Sequence, residues 1–117
     1  MSIRRFEHGS KQVLLKIEDS ANKESEKSAI VMWQSIAERV DQKIEGETTQ
    51  LFYQVDRYLQ EYATQNQITI HFLFTTSNPK LKKWFLANYQ KFGFINFRDL
   101  PDEGIIAADK YYRPEKN

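Results

Sequence analysis

Cysteine is absent from the 117 residues, which excludes a disulfide framework, a thiolate metal site, an iron–sulfur cluster and a Cys nucleophile. Glycine and proline are scarce, four and three, and no Pro/Gly-rich linker divides the chain, so residues 1–117 read as a single domain. The longest apolar runs are four or five residues, far short of the ~20 that span a bilayer. The opening MSIRRFEHGSKQ lacks the apolar core of a signal peptide, so a soluble, cytoplasmic protein with no membrane partner is expected. The net charge of +1 names no partner by itself. No Ser-His-Asp order, Walker loop, dinucleotide fingerprint or metalloprotease helix occurs. No RNP-like strand motif occurs either, so nucleic acid is not an expected partner. With two histidines, His8 and His71, and no carboxylates in register with them, no metal site is expected.

What is present is an ordinary globular composition, 40% hydrophobic and 28% charged, with aromatics at 14%, enough to build a core on their own. Ile3 to His8 and Gln12 to Glu18 alternate around Gly9-Ser10 and predict a β-hairpin. Asp19 to Ser28 is polar and reads as a loop or a frayed helix start. In Ala29 to Ile44 the residues Ala29, Trp33, Ile36, Val40 and Ile44 form a helical stripe, and Gly46 stands where a C-cap glycine would. The run Ile30 to Trp33 also fits the opening of a buried strand, with helix the favoured reading. Thr48 suits an N-cap, and Leu51, Phe52, Val55, Tyr58, Leu59 and Tyr62 predict an amphipathic helix. Ile68 to Thr75 alternates as a strand, and Ser77-Asn78-Pro79 starts a helix lined by Leu81, Trp84, Phe85, Asn88 and Phe92 and ended by Gly93. Phe94 to Leu100 and Ile105 to Tyr112 predict two strands joined by a Pro-Asp-Glu-Gly turn, with Tyr111 and Tyr112 finishing the last strand against the core. The expected fold is α/β (α+β): one mixed sheet flanked by helices, in the order β-β-α-α-β-α-β-β.

Between Tyr62 and Arg98 there is no Asp or Glu, whereas Lys80, Lys82, Lys83, Lys91 and Arg98 are basic. That block either solubilises the outer face of an aromatic helix or, with the helix N-terminus, holds a polyanion.

From Leu51 to Tyr112 the chain resembles the C-terminal half of the GNAT acetyltransferases. The residues that carry the likeness are ITIHFLFTTSNPKLKKWFLANYQKFGFINFRDL, with its Tyr-x-Lys-x-Gly-Phe step, then the turn and IIAADKYY. The resemblance implies that acetyl-coenzyme A lies in a splayed notch beside the strand that ends at Asn78. Its acetyl group would go to an amine acceptor, a small molecule or a protein. Asn78, Gly46 and Thr48 would then contact the cofactor. Tyr89 would be the general acid for the departing thiolate, with Glu38, His71 or a water chain as base. Where the family carries its glycine-rich phosphate loop, this chain has Arg39 to Thr48 with one glycine, Gly46, between Glu45 and Glu47. Carboxylates there repel phosphate. Asn78 and Tyr89 also lie about one helical turn farther apart than in the family, so that Phe85 takes the register of its Tyr. The sequence therefore also fits a non-catalytic binding or regulatory protein with a protein partner, on a GNAT-like scaffold that has lost the cofactor loop. Exposed final strands would allow such a chain to pair as a homodimer.

Overall fold

The computed structural model describes residues 2–20 and 25–115; of the stretch from Asp19 to Ser28, expected as a loop or a frayed helix start, residues 21–24 lie outside the described residues, and Asp19 and Glu26 to Ser28 are strand. Gly9, at φ +61°, supplies the left-handed residue of a two-residue connection, and β1 (Ser2–His8) folds back on β2 (Lys11–Asp19). Val13, Leu15 and Ile17 of β2 are buried on one face, as their alternation requires.

The stretch from Ala29 to Ile44 is not the helix that its spacing favours. Its first part belongs to β3 (Glu26–Ser35), antiparallel to β2 from Lys11 opposite Ser35 to Asp19 opposite Lys27. Only Ala37–Gln42 is helical, as a short 3-10 segment. The free edge of β2 decides the matter, because a ladder of main-chain bonds outweighs a weak local periodicity that a strand satisfies as well. Ala29, Val31 and Trp33 face the core, and Ile30 and Met32, of opposite parity, are exposed at 45% and 57%. Gly46 is consequently no C-cap. It precedes α1 (Glu47–Asn66) at φ +79°, and Thr48, expected as the N-cap, lies inside the first turn.

Helix α1 buries Leu51, Phe52, Val55, Leu59 and Ala63, the 3–4 spacing of an amphipathic face. It is followed by β4 (Thr69–Thr76), α2 (Pro79–Asn88), β5 (Ile95–Leu100) and β6 (Ile105–Tyr112); the strands keep close to their expected limits, whereas α2 stops at Asn88 and residues 89–93 form turns, short of the expected end at Gly93. The strands form one six-stranded mixed sheet in the order β1-β2-β3-β4-β6-β5, with β3 and β4 parallel and every other pair antiparallel. The single mixed sheet with helices expected from the sequence is thus the observed α+β fold, with one strand more on its N-terminal side. Both long helices pack on the same face, where Phe52 of α1 and Phe85 of α2 meet Phe74 of β4 at ring separations of 5.3 and 4.3 Å. No described helix is long and apolar enough to cross a membrane.

Phe52 is the hub of this core: its ring lies within 6.3 Å of Trp33, Phe74, Trp84, Phe85, Phe92 and Phe94. Phe52→Ala is expected to cost about 3–5 kcal/mol, whereas Leu86→Ala, on the exposed side of α2, should stay within about 0.5 kcal/mol. Urea unfolding of both variants checks the contrast.

Candidate functional site

Strands β3 and β4 pair only from Glu26 opposite Thr69 to Ala29 opposite Phe72. Beyond that point β3 continues to Ser35 against β2 alone, and β4 continues to Thr76 against β6 alone. Each strand therefore turns an unpaired main-chain edge toward the other among the described residues. The notch opens into a groove of about 910 Å³ lined by Trp33, Ser35, Thr75, Asn78 and Lys80. Behind Trp33, Phe52 stacks against it at 4.9 Å and against Trp84 at 4.4 Å. The two indoles differ in one respect. Trp84 Nε1 donates to Thr49 Oγ1 at 3.0 Å, whereas Trp33 Nε1 is buried with no acceptor among the described residues.

Lys11, Lys43 and Lys80 also line the groove, against a single carboxylate, Glu47. Glu47 is the first residue of α1 and only 3% exposed. Its Oε2 accepts the Ser10 N–H at 2.9 Å and the Ile44 N–H at 3.2 Å, and its Oε1 accepts the Ser10 hydroxyl at 2.8 Å. A negative group at a helix N-terminus is also favoured by the helix dipole. Burial pushes this carboxyl up, but the Ser10 amide and hydroxyl, the Ile44 amide and the nearby Lys11 together hold it below its ordinary value. The approach is so close that a Cβ on Gly9 would collide with Glu47 Oε2. Gly9 is thus required twice, for its φ and for the room it leaves.

The residues singled out from the sequence fall in different places. Asn78 lines the groove, with its Oδ1 accepting from the Lys80 and Leu81 amides at 2.9 and 3.0 Å as the N-cap of α2. Thr48 Oγ1 accepts from Lys11 Nζ at 3.2 Å, and Gly46 stands exposed beside Glu47 with open space where a Cβ would be. Tyr89 lies at the far end of α2, about 16 Å along the chain from Asn78 at 1.5 Å per residue. There it stacks between Phe85 at 5.8 Å and Phe97 at 5.1 Å. Phe85, in the register where the resemblance would place a Tyr, is fully buried.

Of the two side chains considered as a base, Glu38 is exposed on the 3-10 segment. His71 points to the sheet face away from the helices, where its Nε2 lies 2.8 Å from Asp109. Asp109 also accepts from Arg98 at 2.7 Å, and Tyr111 stacks on His71 at 4.6 Å. The basic block is split accordingly: Arg98 is engaged on that face, while Lys80, Lys82 and Lys83 ride on α2. A second cavity of about 440 Å³ runs between α1 and β6, where Asp56 accepts from Lys110 at 2.6 Å and from the Tyr112 hydroxyl at 2.5 Å. Burial and the Asp56 carboxylate push the Tyr112 phenol far up, so it stays protonated.

Sequence reading missed the parting of β3 and β4, the locked Glu47 and the His71–Asp109–Arg98 cluster. One signal for the last is an acidic residue, Asp109, inside the apolar run of β6. Comparison with family models, with curated proteins and with solved structures found no match to this chain.

The lowered carboxyl of Glu47 fixes a sign. The stability it contributes is fully present above its ordinary value of 4.5 and is lost as the pH falls through the lower folded value. The urea midpoint should therefore drop on acidification below about pH 4.5. Glu47→Gln is expected to be less stable at pH 7 by about 1–3 kcal/mol, because an amide N–H₂ cannot accept from Ser10. Its acid limb should be flatter than that of the native chain, and parallel acid limbs would show that Glu47 does not carry the effect.

Proposed function

We propose that the chain is a non-catalytic binding protein on a GNAT-like scaffold, and that the groove between the parting strands β3 and β4 is its binding site. The observation that carries this reading is the buried, triply bonded Glu47 carboxylate. The resemblance would place the pyrophosphate of coenzyme A at the loop before α1. There the Ile44 amide already serves an internal anion, and a second anion would meet the charge of Glu47 with Glu45 exposed beside it. The residues present do not fit the phosphates of acetyl-coenzyme A, and no chemical step is drawn through it. Phe85, buried in place of a phenol, and Tyr89, outside the groove, favour the same reading.

Acetyl transfer to an amine stands second, on the one observation that Asn78 lines the groove. Thermal unfolding with and without millimolar acetyl-coenzyme A separates the two. The binding-protein reading expects a Tm unchanged within about 1 °C. A ligand at 100 times its Kd would stabilise the fold by about 2.7 kcal/mol, a shift of several degrees for a domain of this size. A shift of that size would put acetyl transfer first.

A further inference from the structure

We propose that the occupant of this groove is an extended peptide segment of another protein, bearing acidic side chains and added as a strand to the free edge of β3. The proposal rests on the reading of the groove as a binding site and goes on to name what fills it.

Three features of the groove point to a main chain rather than to a phosphate. Three amides that could cradle an anion beside the groove are taken: the Lys80 and Leu81 N–H groups by Asn78 Oδ1, and the Ile44 N–H by Glu47. What stays unpaired among the described residues is the β3 edge from Ile30 to Ser35 and, across the notch, the β4 edge from Leu73 to Thr76. Strand edges of this kind are templates for another strand, and main-chain hydrogen bonding to them gives affinity with little demand on sequence. The volume of about 910 Å³ is of the size that buries a short segment.

Charge selects the side chains. Lys11, Lys43 and Lys80 line the groove, and the one carboxylate among its lining residues is committed to Ser10 and Ile44. An acidic segment therefore meets three ammonium groups, and a basic one is repelled.

The test is an amide-resolved NMR titration of the whole chain with three synthetic octapeptides capped at both ends. The first alternates Val and Glu, the second replaces Glu by Lys, and the third is the first with every backbone amide N-methylated, so that neither edge keeps an N–H. The acidic peptide is expected to shift the amides of residues 30–35 and 73–76 and to slow their hydrogen exchange. The Lys peptide should need at least tenfold more, and the N-methylated peptide should leave those amides unmoved, since it cannot pair with an edge. Lys43→Glu with Lys80→Glu, on side chains that carry no part of the core, should weaken the acidic peptide at least tenfold. Silence at millimolar acidic peptide, shifts confined to other surfaces, or equal response to all three peptides overturns the proposal. A fourth arm with acetyl-coenzyme A keeps the two readings apart. Silence toward the peptide alone removes the peptide, whereas coenzyme-dependent shifts at the same amides remove the non-catalytic reading beneath it.

Discussion

Phe52 stacked between Trp33 and Trp84 is the contact on which the rest of the architecture hangs. It joins β3, α1 and α2 through side chains at the level where β3 and β4 have stopped sharing main-chain bonds. Aromatic pairs of this geometry contribute about 0.5–1.5 kcal/mol each beyond the area they bury. The sheet can therefore part along its middle without losing continuity on its inner face. The main-chain groups released on the two edges look into the groove, where water or a ligand can satisfy them.

Glu47 solves a different problem with the same economy of parts. The turn after β1 is distant in sequence from the loop before α1 and the first turn of α1, and one carboxylate ties all three. Ser10 supplies an amide and a hydroxyl across 37 positions, and Ile44 supplies an amide from three residues away. Because the carboxylate is buried and fully bonded, its charge is fixed in place rather than offered to a ligand. The glycine at position 9 follows from that packing as much as from the hairpin turn.

Most of the fold was legible because its signals are local. Alternation about Gly9-Ser10, the apolar face of α1, the strand ending at Asn78-Pro79 and the turn before β6 each lie within a dozen residues. Residues 29–35 were not legible, for a reason visible in the numbers. Ala29 and Trp33 are four apart, a spacing that places them on one side of a helix and equally on one face of a strand. Only the edge of β2 chooses between them. The candidate site was less legible still, since its features are relations between distant segments: Glu47 with Ser10, and His71 with Asp109 38 positions on. Asn78 was identified correctly as a helix-start residue, which follows from its Asn-Pro step. Tyr89 belongs to the aromatic packing at the end of α2, between Phe85 and Phe97.

The two helix starts beside the groove explain why its chemistry shifts from anions to main chains. A helix N-terminus next to a cleft is by default a place for phosphate, because its amides are unpaired and its dipole is positive. Here Asn78 caps the first amides of α2 with its own side chain, and at the start of α1, which has no side-chain cap, the buried charge of Glu47 opposes a second anion. The lysine neighbours keep a positive field over the groove, but the Lys80, Leu81 and Ile44 amides have partners already. Directional bonding then remains with the open strand edges, which read a backbone. The lysines, acting at longer range, discriminate only by the sign of its side chains.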